Sequence, residues 1–150
     1  MKVVALAALL MPLLSWAGED QDQIHLILKD IERGWEQADG QPFRTHFLDS
    51  PDARYFESGG QNEGLDDLVD HHVVPEGKSL KLELDFGNVQ INIHSGLAWV
   101  LADTEIKGSF TNSNRTIHNR GFQTFVLRKI DGNWKVLHTH SSSRPVKPKS

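Results

Sequence analysis

The run Gln123-Thr-Phe-Val-Leu-Arg-Lys-Ile130, the pair Asp131-Gly132 and the run Trp134-Lys-Val-Leu-His-Thr-His-Ser-Ser142 decide how this chain folds. Two stretches rich in β-branched and aromatic residues flank a two-residue Asp-Gly loop, a strong short-range hairpin signal. The pattern extends backwards from this hairpin. Leu97–Phe110 is a long run, apolar on both faces at its start, and Asn112-Ser113-Asn114 is the turn that follows it. Before that, Leu80, Leu82, Leu84 and Phe86 alternate with Lys81, Glu83 and Asp85, which predicts a strand with one wet face. Gly87-Asn88 interrupts it, and Val89, Ile91 and Ile93 resume.

Further upstream the period becomes helical. Ile24, Leu26, Ile27, Leu28, Ile31 and Trp35 predict an amphipathic helix of about four turns. It should end near Asp39-Gly40, with Gly18–Gln23 frayed ahead of it. Pro42–Leu48 predicts a second short helix, Ala53–Glu57 a short strand broken by Ser58-Gly59-Gly60, and Glu63–Val74 a third helix stopped by Pro75 and Gly77. Helices first and then a meander of long antiparallel strands define an α+β class, a curved sheet wrapped around a helical layer.

The N-terminus reads as an address. Lys2 is a short basic start, Val3–Leu14 is apolar apart from Pro12, and Ser15-Trp16-Ala17 puts small residues at the −3 and −1 positions of a cut. Residues 1–17 are thus expected to be a cleaved secretory signal. Their apolar run is shorter than the roughly 20 residues a bilayer span needs. The protein is expected to be periplasmic or secreted, and not membrane-embedded. The mature chain, Gly18–Ser150, has 133 residues, the length of one domain. There is no cysteine, hence no disulfide, thiolate nucleophile or lipoprotein anchor. The sixteen Lys and Arg become fifteen without Lys2, against twenty Asp and Glu. That balance argues against a nucleic-acid partner, which calls for a basic face. The basic cluster Arg144, Lys147 and Lys149 runs into a solvated tail over residues 146–150.

Eight histidines are present, and they cluster. His138 and His140 are two apart on the last strand and so share a face. By that alternation Trp134, Val136, His138, His140, Ser142 and Arg144 line one side. Trp134 and Val136 look like core, so the histidine side is expected to be the covered one. His71 and His72 are about 100° apart on the third helix, so one of them turns inward. Tyr55 and Glu57 share a face of the first strand, and the carboxylate can reach a pocket rim. Trp99 reads as a core or interface aromatic and is carried as a candidate wall. The candidate pocket is therefore Tyr55, Glu57, His71, His72, Trp99, His138, His140 and Arg144.

Three readings of this set stand side by side. The histidines can knit helix to sheet through hydrogen bonds. They can orient or deprotonate a small ligand. Or His71, His72, His138 and His140 can hold a divalent metal, zinc or copper, as the sole cofactor in prospect. Dinucleotide and phosphate-loop glycine patterns are absent. Ser141-Ser142-Ser143 lacks the Gly-x-Ser-x-Gly setting of a nucleophile.

Several of these stretches together resemble one family. Tyr55-Phe-Glu-Ser-Gly59, Asp70-His-His72 ahead of Pro75-Glu76, Gly121-Phe-Gln-Thr-Phe-Val-Leu-Arg128, Asp131-Gly-Asn-Trp-Lys-Val136 and His138-Thr-His-Ser-Ser-Ser-Arg-Pro145 resemble the SnoaL-like proteins. These belong to the superfamily of nuclear transport factor 2, ketosteroid isomerase and polyketide cyclase. The resemblance spans about residues 21–145, so the domain is set at 18–145. It implies a cystatin-like α+β barrel, a cone of antiparallel strands around a pocket closed by helices. It also implies a homodimer paired through the outer face of the sheet. Catalytic relatives place an aspartate base inside the cone. Here the matching interior is expected to hold histidines, and Asp103 alternates with Glu105 and Lys107 as a solvent-face charge. The expected function is an exported domain whose histidine-lined pocket binds a small ligand or a metal ion. An isomerase, cyclase or hydratase using a pocket histidine as base, and a non-catalytic dimeric interaction module, are the alternatives.

Overall fold

The computed structural model describes residues 13–147, with side chains from Gly18 onward. The secretory signal expected at residues 1–17 falls mostly outside the described residues, as does the end of the basic tail. Helix α1 (Leu13–Gln37) buries Ile24, Ile27, Leu28 and Ile31, the i, i+3, i+4, i+7 stripe of an amphipathic helix. Residues 18–23 are helical rather than frayed. Asp20 explains the difference: its Oδ1 accepts from Trp134 Nε1 at 3.0 Å and from Lys129 Nζ, tying the first turns of the domain to the far hairpin. The helix stops at Ala38, whose φ of 52° turns the chain two residues before Gly40.

Helix α2 (Gln41–His46) follows, and then the strands β1 (Arg54–Glu57) and β2 (Gly60–Glu63). Strand β2 has no apolar alternation, so its sequence does not announce it. The hairpin depends on Ser58 and Gly59, both at positive φ, 46° and 94°, the backbone a two-residue loop requires. The third helical region is a π-wound segment (Asp67–Val73) that continues into the short α3 (Val74–Glu76).

Four long strands complete the described residues: β3 (Leu80–His94), β4 (Leu97–Phe110), β5 (Thr116–Ile130) and β6 (Asn133–Pro145). The sheet order is β2-β1-β6-β5-β4-β3, antiparallel throughout except where β1 runs parallel to β6. The sheet is curved and unclosed, with the helices against its inner face. One source of the bend is Gly121 in β5. A Cβ there would fall 1.7 Å from the Ser142 carbonyl oxygen, so β5 and β6 pinch together where only glycine fits. Bulges between Gly87 and Gln90 in β3 and at Leu137 in β6 add to it.

The core lies between α1 and the inner sheet face, where Val100, Phe125, Leu127 and Val136 are fully covered. One carboxylate is buried with them. Glu32 Oε1 accepts from the Phe86 backbone N–H at 2.7 Å, and Glu36 Oε1 accepts from Leu84 N–H at 3.1 Å. Strand β3 is an edge strand, and α1 supplies acceptors for donors that no neighbouring strand can satisfy. No described helix is long and apolar enough to cross a membrane.

Candidate functional site

Between the helices and the inner sheet face lies a cavity of about 250 Å³. Trp35 from α1, Phe43 and Phe47 around α2, and Tyr55 from β1 form its aromatic side. Packing fixes these rings against one another: Trp35 meets Phe43 edge-on at 5.5 Å, and Phe47 meets Tyr55 at 5.1 Å. The sheet side is mixed: Leu82, Leu84, Phe86, Ile106, Ile117 and Phe125 supply apolar surface, while Asn119 and Gln123 from β5 and Thr139, Ser141 and Ser143 from β6 supply uncharged polar groups. Glu57, Asn62 and Glu76 complete the lining from β1, β2 and α3.

The polar row overturns the expected histidine face. Val126 pairs with His138, but the next residue, Leu127, pairs with Val136, so Leu137 is an extra residue in β6. A one-residue offset flips every later side chain to the other side of a strand. Trp134 and Val136 therefore point into the core as expected, while Thr139, Ser141 and Ser143 carry the inward positions beyond the bulge. His138 and His140 face out, packed edge-on against Phe56 at 5.0 and 5.8 Å. His138 Nδ1–H donates to the Arg54 carbonyl at 2.6 Å, which is the knitting role. Arg144 is exposed beside an outer groove that Asp103 also lines. Trp99 is on the outer face too, 46% exposed. None of His138, His140, Arg144 or Trp99 lines the cavity.

Tyr55, Glu57 and His72 do come together. Of the two adjacent histidines, His71 points to solvent, paired with Asp67 at 3.0 Å, and His72 turns inward. The π winding of this segment is a feature often met at functional sites. The His72 ring packs edge-on against Trp35 at 5.1 Å. Asn62 Nδ2 donates to its Nδ1 at 3.1 Å, so Nε2 carries the proton. Nε2 lies 3.3 Å from Glu57 Oε2 and 3.5 Å from Glu76 Oε2. His72 thus stands behind the lining with one nitrogen close to two cavity carboxylates.

Burial pushes the Glu76 carboxyl above its ordinary value; His72 opposes the shift and the Glu57 charge adds to it. The Tyr55 hydroxyl is pushed up to about 12, chiefly by burial and secondarily by Asp49. It is therefore a hydrogen-bond donor at neutral pH. Among the described residues, no three His, Asp or Glu side chains form a group that could hold a metal ion. The four histidines of the expected metal set are dispersed: His71 in solvent, His72 behind the carboxylates, His138 and His140 outside. Sequence reasoning missed Glu76, Asn62, Gln123 and the inward Thr139-Ser141-Ser143 row. Pro75-Glu76 was legible only as a helix stop, and the row follows from a bulge that no residue type signals.

A curved α+β sheet enclosing a cavity under a helical cover is the architecture of the nuclear transport factor 2-like proteins. Residues 24–147 match the SnoaL-like domain, and the chain belongs to that family. No curated protein matches it. Solved structures with this fold include a nuclear transport factor 2-like superfamily protein from Salmonella enterica serovar Typhimurium LT2. It is 20% identical, covers 89% of this chain and 96% of its own, and has a TM-score of 0.79. The hexachlorocyclohexane dehydrochlorinase LinA-type3 from Novosphingobium barchaimii LL02 is 18% identical over 87% and 92% of the two chains, with a TM-score of 0.73. An uncharacterized protein with a cystatin-like fold from Caulobacter vibrioides is 18% identical over 87% and 92%, with a TM-score of 0.67.

Proposed function

We propose that this chain is an exported small-molecule-binding domain whose ligand occupies the cavity inside the curved sheet. The observation that carries the reading is a cavity lined mostly by aromatic and aliphatic side chains, with a placed row of neutral hydroxyl and amide groups on β5 and β6. Small-ligand sites combine apolar surface with a few placed polar groups in this way. The dehydrochlorinase with the same fold acts on a small apolar molecule, which agrees with an occupant of this size. Catalysis by His72 is the weaker reading, because its Nδ1 is taken by Asn62 and its Nε2 faces two carboxylates. The address rests on the leader read in residues 1–17.

Ligand-observed NMR with a fragment set tests the binding. Several fragments should bind the mature protein and lose their signal with Ser141→Phe, which fills the cavity from the polar row. A fragment set that never responds, or responds equally with the filled cavity, would sink the reading.

The same chain is proposed to pair with a second copy through the outer sheet face. Leu97, Trp99, Leu101 and Phe122 are large apolar side chains 42–67% exposed there, on neighbouring strands. Light scattering should give a dimer mass that Trp99→Glu converts to a monomer.

A further inference from the structure

The charges of the cavity are all of one sign. Its lining includes Glu57 and Glu76 and contains no Lys or Arg. Both carboxylates lie within 3.5 Å of the single His72 Nε2, so they converge on one region. Trp35 lines the cavity beside them and packs on the same histidine. The rest of the lining is apolar or carries neutral donors and acceptors.

We propose, resting on the binding function above, that the ligand is a cationic amphiphile. It would be a primary or substituted amine with a short apolar body, its ammonium set between Glu57 and Glu76 and its body against Trp35, Phe43 and Phe47. Each ligand class meets these groups differently. An anion meets two like charges at close range. A neutral ligand adds nothing to the one partner these partly exposed carboxylates share, the His72 ring. An ammonium carries three donors, enough to serve both carboxylates at once with charge-assisted bonds. The Trp35 ring nearby can also attract a cation. The Glu76 carboxyl is raised by burial, lowered by His72 and raised by Glu57, and a cation beside it favours its charged form in the same way His72 does. The apolar sides and the volume of about 250 Å³ limit the body to a single ring or a short chain.

Three probes with nearly the same body separate the classes: 2-phenylethylamine, 2-phenylethanol and phenylacetate, titrated by calorimetry into the mature protein. The amine is expected to bind about tenfold or more tightly than the alcohol, a gap of one or more factors of ten, with phenylacetate weakest. Glu57→Gln and Glu76→Gln should each erase most of that gap, with unchanged circular dichroism and melting temperature reporting that the variants are folded. Raising the salt should weaken the amine and spare the alcohol, because the carboxylates are partly exposed. Equal binding of amine and alcohol, or preference for phenylacetate, overturns the cationic class and leaves the cavity reading standing. Silence from all three probes, together with an unresponsive fragment set, overturns both.

Discussion

Val136 and His138 face opposite sides of β6 although one residue separates them. Their substitutions should therefore behave in opposite ways. Val136 is fully buried, and Val136→Ala removes covered methyl groups and leaves a void, at a cost of about 2 kcal/mol. His140→Ala, on the outer side with His138, should change stability by less than about 0.5 kcal/mol. It should also leave ligand affinity within twofold. Urea melts of both variants check the first point, and titration with a cavity ligand checks the second. A large loss of affinity in His140→Ala would contradict the placement of that histidine outside the cavity.

Glu32 should be among the costliest polar side chains to truncate. It is 6% exposed, and its Oε1 accepts from Phe86 N–H while its Oε2 faces Lys29 at 2.6 Å. Glu32→Ala leaves an edge-strand donor buried without an acceptor, a loss of about 1–3 kcal/mol. Glu32→Gln keeps a carbonyl oxygen in reach of Phe86 and should lose less. The comparison is made by urea denaturation, and amide exchange at Phe86 should quicken in the alanine variant alone.

Much of this could be read from the residues, and the failures have physical causes. The stripe of Ile24, Ile27, Leu28 and Ile31 and the alternation of Leu80–Phe86 are repeated signals, so α1 and β3 were legible. Asp131-Gly132 was legible because φ is positive at both residues, 49° and 80°, which that pair tolerates. Strand β2 was not, because Gly60-Gln-Asn-Glu63 has no apolar face and owes its pairing to the turn before it. The site was half legible for a related reason. Glu57 and Tyr55 sit on a regular strand, where alternation holds. His138 and His140 lie beyond a bulge, where alternation inverts and composition gives no warning. In the sequence Glu32 is simply a charged residue between apolar positions of α1, and only the tertiary position of β3 tells it from a solvated charge.

The leader reading makes a definite prediction about the mature protein. Among the described side chains of α1, the first tertiary tie is Asp20, three residues past the proposed cut after Ala17. A chain beginning at Gly18 keeps that tie and every buried residue of the helix from Ile24 onward. N-terminal sequencing of protein from its own compartment should therefore start at Gly18, and expressed Gly18–Ser150 should fold with the same circular dichroism and melting temperature. An intact Met1 in the native protein would refute the export reading.

Asp20 should also give the fold a measurable acid sensitivity. Burial alone would raise its carboxyl, but hydrogen bonds from Lys129 and Trp134 and the Lys129 charge outweigh it, so the folded value lies below the ordinary 3.8. A carboxylate depressed on folding contributes stability above its unfolded pKa and loses it as the pH falls through the folded one. At pH 7, Asp20→Asn removes the charge from this cluster, and Asp20→Ala also leaves the buried Trp134 N–H without its acceptor. The alanine variant should be about 1–3 kcal/mol less stable, lowering the melting temperature by several degrees in a domain of this size. The asparagine variant should lose less. The gap between wild type and Asp20→Asn should stay constant from pH 7 to about pH 5 and shrink below pH 3.8 as the wild-type carboxylate takes up its proton. Thermal melts of the three proteins across that range decide it, and a gap that does not shrink at all below pH 3.8 would mean that the charge of Asp20 contributes nothing to the tie.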